Sequence, residues 1–162
     1  MARTENHSTL NKMPVRSWVF RTVHKMRRAR ATDVSAWVRF WRQAYDELGG
    51  RSSKVASKGC PRAGAYGLWF LGRLLSGGRA YQVWPISRID TELGKNAAYA
   101  VIAADLLSQG AEMSRAQLWA EVRRRYRADT GREPAASEQG EIRVVVSLFR
   151  DKQLVSGIDR PA

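Results

Sequence analysis

Few side chains in this sequence have both the type and the spacing for covalent chemistry. The only cysteine, Cys60, lies between Gly59 and Pro61 at the mouth of an apolar run. A thiol at a helix N-terminus loses its proton easily and becomes a nucleophile. No histidine lies near it in sequence to act as its base, so the spacing favours a capping or packing role. Asp90, Glu92 and Lys95 have the residue types of a nuclease centre, but not its spacing or the strands that would hold it, and they read as a solvated linker. His7 and His24 are too far apart in sequence to suggest a zinc site. Glu138 and Glu141, about one turn apart at the start of a helix, suit the helix macrodipole. No Ser-His-acid grouping, phosphate-binding loop, dinucleotide glycine motif or paired-cysteine metal site occurs. The expectation is a non-enzymatic protein with no catalytic residue, metal or cofactor.

The remaining chemistry is electrostatic. The 162 residues carry 28 Lys and Arg against 15 acids, a net charge of +13. Residues 1–81 hold 16 cations and 4 acids, whereas residues 82–162 hold 12 and 11. An excess confined to one half predicts a directed positive surface rather than a general aid to solubility. Arginine forks suit phosphate oxygens, so the expected partner is nucleic acid, DNA or RNA, held mainly by its backbone. The candidate contacts form three groups. Arg21, Lys25, Arg27, Arg28 and Arg30 lie on or just after a first helix; Arg51, Lys54, Lys58 and Arg62 surround the entry to a third; Arg123, Arg124, Arg125 and Arg127 come from the second half. Tyr81 and Trp84 are candidate stacking platforms for bases. The alternative is a small inhibitor or adaptor that docks on an acidic protein or a ribonucleoprotein in a bacterial or mobile-element defence complex.

The elements that must position these groups read as helices. Laid on itself at a period of 80 residues, Leu68–Gly77 matches Leu148–Gly157, and Thr32 through Trp37 matches Ser114 through Trp119. Each half predicts three helices: about 17–30, a second from Thr32 to the Gly49-Gly50 stop, and about 61–75; then 96–108, 114–129 and 138–153. Thr32 and Ser114 are the expected N-caps, and Pro61 suits a first helical turn. In this frame Cys60 falls at an N-cap. The fold class is all-α, with two tandem three-helix repeats packed as one compact helical domain. The boundaries are a tail over 1–16, repeat 1 over 17–78, a connector over 79–94, repeat 2 over 95–157 and a tail over 158–162. The connector alternates apolar residues from Arg79 to Pro85, a pattern that admits short strands of the winged-helix kind. The longest apolar stretch, Ala97 to Leu107, is too short to span a bilayer and is interrupted by Asp105. With one cysteine and no secretory signal, the expected setting is the cytoplasm.

Lys58-Gly59-Cys60-Pro61, Gly64-Ala65-Tyr66-Gly67-Leu68, Lys95 through Ala100 and Val144 through Phe149 together resemble the landmarks of an uncharacterised bacterial helical domain family. The resemblance covers about residues 17–157 and implies a fold with two related halves. That family has no assigned activity, and this chain is more basic and richer in tryptophan.

Overall fold

The computed structural model describes residues 13–155, and these form eight helices. They are α1 (Val15–Ala29), α2 (Val34–Glu47), α3 (Ser53–Ser57), α4 (Gly59–Phe70), α5 (Ile86–Leu93), α6 (Lys95–Ser108), α7 (Arg115–Thr130) and α8 (Glu141–Arg150). The all-α expectation holds. Instead of a winged-helix strand pair, the described residues show a single antiparallel bridge, Leu74 to Leu154. These two leucines are the positions that the 80-residue period sets opposite one another.

The chain divides into two compact units between Lys58 and Gly59, inside the span expected for repeat 1. In the first unit, α1 and α2 bury an aromatic core. The Trp18 ring stacks on Trp41 with centroids 4.1 Å apart, and its indole N–H donates to the Trp41 carbonyl at 2.8 Å. Val19, Val23 and Met26 from α1 and Trp37, Ala44 and Tyr45 from α2 complete the core. The α2 N-cap is Asp33, not Thr32: its carboxylate accepts the Ala36 amide at 3.1 Å, one position closer to the first turn. A methyl group at Gly50 would lie 2.2 Å from the Tyr45 ring, so only glycine lets the chain leave α2 there.

In the second unit α6 is the central helix, and α4, α5, α7 and α8 all pack on it. Ten consecutive or near-consecutive residues from Ala97 to Leu107 are buried. The longest apolar run is therefore a helix buried all round. Among the described residues no helix is long and apolar enough to cross a membrane. Small residues let α4 approach closely: a Cβ added to Gly67 would meet that of Ala97 at 2.6 Å.

Several boundaries differ from the sequence expectation. Helix α4 ends at Phe70 rather than near residue 75, because Gly72 turns the chain at φ +75° and the Arg73 amide closes onto the Leu68 carbonyl at 2.8 Å. Its start at Gly59 places Cys60 inside the first turn, not at an N-cap. Helix α8 is shorter than residues 138–153 because Gly140, at φ +115°, begins it and Asp151 ends it. The connector contains α5, whose short 86–93 span was hidden between Pro85 and Gly94. Helix α3 was likewise missed. Ser114 is the expected cap, with a reciprocal bond from Gln117 completing a capping box.

Candidate nucleic-acid interface

Helical spacing puts Ser17, Arg21, His24, Lys25 and Arg28 along one side of α1. With Phe40, Glu47 and Leu48 of α2 they line an open groove of about 850 Å³. The apolar stripe of α1 is turned into the aromatic core, which forces the intervening cations outward. Among the described residues Glu47 is the one acid in this lining. Its carboxylate lies 2.5 Å from the Lys25 ammonium and 3.7 Å from the Arg21 guanidinium. The Lys25 hydrogen bond, ahead of smaller effects from both cations, holds the Glu47 carboxyl below the usual carboxylate range.

Arg27 and Arg28 occupy the last turn of α1, where positive charge also complements the helix C-terminus. Arg30 is its C-cap, in the left-handed region at φ 52°. All three are exposed, and none is held by an acid among the described residues. Arg51, Lys54 and Lys58 are exposed on or beside α3, at the end of the same unit. Arg62 lies in the first turn of α4, in the second unit, and is half-buried. Sequence reading missed Arg39, whose guanidinium lies 4.9 Å from the Phe40 ring centre. It also missed Glu47, for which no local signal exists: the residue is remote in sequence from both cations it meets.

The third expected group is organised quite differently. Arg124 and Arg125 both bond Glu121, at 2.5 and 3.2 Å. Hydrogen bonds from these two arginines, Arg124 first, lower the Glu121 carboxyl to about 2. Arg127 bonds Glu133 at 2.6 Å, and Arg123 donates to the Ala135 carbonyl at 2.9 Å. Most of this basic run is thus engaged by neighbouring carboxylates and carbonyls.

Neither expected stacking platform is bare. The Arg73 guanidinium covers Tyr81 at 3.9 Å, and Arg88 covers Trp84 at 3.6 Å while the Phe70 ring meets it at a steep angle. The nuclease-like residues are also tied down. Asp90 accepts from the Tyr126 hydroxyl at 2.7 Å and from Arg132 at 3.1 Å, Glu92 bonds Arg88, and Lys95 opens the next helix. His7 lies outside the described residues, and His24 stands exposed in the α1 groove. Among the described residues no group of three or more His, Cys, Asp or Glu is placed to hold a metal ion.

The fold and this site define a small all-α protein with a strongly basic helix pair. The chain belongs to DUF6979, a family of unknown function, which it matches over residues 20–155. No curated protein and no solved structure shows significant similarity to it.

Proposed function

We propose that this is a basic, non-enzymatic nucleic-acid-binding protein of the bacterial cytoplasm, which grips the phosphate backbone through the α1 groove and the cations beside it. The observation that carries the reading is the contrast between the two arginine clusters. Those of α7 each reach one of two shared carboxylates, Glu121 and Glu133, whereas Arg27, Arg28 and Arg30 are exposed with no acid beside them among the described residues. Residues 1–58 hold 13 Lys and Arg against 4 acids, while residues 59–162 hold 15 against 11. A surface with this excess binds phosphates by releasing counterions, a mode that carries little sequence preference. No helix with base-reading side chains is assigned.

A second reading, docking on another protein, draws on a groove of about 740 Å³ in the second unit, where the exposed side chains of Met113 and Phe149 lie beside Arg115 and Arg150. Copurified nucleic acid, judged by absorbance ratio and nuclease sensitivity, separates the two readings.

Fluorescence anisotropy on labelled duplex and single-stranded probes, across a series of salt concentrations, tests the first reading. The Arg21→Ala/Lys25→Ala/Arg28→Ala variant is expected to bind about tenfold more weakly, with a salt slope shallower by about two to three units for duplex DNA. Unchanged affinity and slope would remove α1 from the interface.

A further inference from the structure

We propose that Glu47 is a specificity-determining residue of the α1 groove: its carboxylate occupies the place of a phosphate between Arg21 and Lys25, and so favours ligands that offer several phosphates at once over a single phosphate. The inference rests on the nucleic-acid reading above.

The geometry is that of a bound anion supplied by the protein itself. One carboxylate oxygen is 2.5 Å from the Lys25 nitrogen, and the other is 3.7 Å from Arg21. Both cations line the groove together with His24, Arg28 and Phe40. A single phosphate entering here exchanges one anion for another. Between Arg21 and Lys25 it gains no new ion pair, and the displaced carboxylate, still anchored to α2 nearby, repels it. A chain of phosphates has more to gain. It also reaches Arg28 in the same groove and Arg27 and Arg30 beyond it, none of which has an anionic partner among the described residues. Discrimination by a built-in repulsive group is a common route to specificity. A glutamate carboxyl is ionised at neutral pH, and Lys25 lowers that of Glu47 further, so the competitor carries its charge there.

Asp46 supplies the control. It is the adjacent residue of α2, is exposed and carries the same charge, yet it pairs with neither cation. A labelled duplex of about 20 base pairs is titrated into wild type, Glu47→Gln and Asp46→Asn, then competed with inorganic phosphate and pyrophosphate. Glu47→Gln is expected to bind the duplex about tenfold more tightly, with a salt slope steeper by about one unit. Inorganic phosphate should compete at roughly tenfold lower concentration than in wild type, erasing part of the preference for polyanions. Asp46→Asn should change each value by less than about twofold, the residue of a general field effect. In an Arg21→Met/Lys25→Met background, Glu47→Gln should gain no more than about twofold, the same general field effect as Asp46→Asn.

Equal gains in Glu47→Gln and Asp46→Asn, or a gain of about tenfold that survives removal of the two cations, would overturn the assignment. Wild-type binding that is unchanged in Glu47→Gln sinks the assignment while leaving the nucleic-acid reading intact. No duplex binding by either protein at low salt removes both.

Discussion

Arg73 is 3 % exposed, the most deeply buried basic side chain among the described residues. Its guanidinium donates to both Asp105 oxygens, at 2.9 and 3.4 Å, and to the Leu71 and Gln82 carbonyls, at 2.6 and 2.7 Å. It thereby ties the end of α4 and the connector to α6. Losing one member of such a network leaves the others desolvated and unpaired. Arg73→Met is expected to cost about 3 kcal/mol, read as a lower urea midpoint. Arg73→Lys should recover only part of this, because an ammonium lacks the fork that serves all these acceptors. Tyr126 gives a second test at this scale. Burial, and then its hydrogen bond to Asp90, pushes its phenol from 10.0 up to about 12. A raised folded pKa means that the stabilisation is complete below pH 10 and is lost as pH rises through 12. An ultraviolet titration should show Tyr126 ionising about two units late, and the late amplitude should fall in Tyr126→Phe, leaving the Tyr99 phenol, which burial also raises.

Helix packing in the second unit depends on small side chains where helices meet. Gly67 lies mid-helix in α4, where glycine costs about 1 kcal/mol relative to alanine. Gly67→Ala should nevertheless destabilise, because its methyl would sit 2.6 Å from the Ala97 Cβ and 3.0 Å from its Cα. Forcing α4 off α6 is expected to cost about 1–3 kcal/mol net, measured by denaturant unfolding. The mirror case is Ser114, whose hydroxyl accepts the Gln117 amide at 3.2 Å while the Gln117 side chain accepts the Ser114 amide at 2.9 Å. Ser114→Ala should cost about 1 kcal/mol, because the Gln117 amide in the first turn loses its side-chain acceptor.

Charge at the scale of the molecule is a matter of matching, not counting. The tandem arginines of α7 and the cations of α1 are equally conspicuous in sequence, but each of the former reaches a carboxylate, Arg124 and Arg125 sharing Glu121 and Arg123 and Arg127 sharing Glu133, whereas among the described residues only Arg21 and Lys25 of the latter do. Replacing Arg123, Arg124 and Arg127 by alanine should therefore change duplex affinity by less than about threefold at physiological salt, where free charges act over about 8 Å. A loss as large as that of the α1 triple variant would mean that the carboxylates release those arginines to the ligand.

Periodicity, caps and composition alone determined the all-α class, the positions of α1, α2, α6 and α7 to within a few residues, and the confinement of positive charge to the amino-terminal part. These depend on neighbours along the chain, which repeat every turn or accumulate by residue type. Short helices such as α5 carried too few turns for a period to emerge. The pairs of Glu121 with Arg124 and Arg125 lie within one helical turn, but other cations were assigned only by tertiary structure, because their partners are remote in sequence: Glu47 for Arg21 and Lys25, Asp105 for Arg73, Asp90 for Arg132. Folding brings such partners within a few ångströms, and at that range one carboxylate decides whether a neighbouring cation faces a ligand or the protein's own anion.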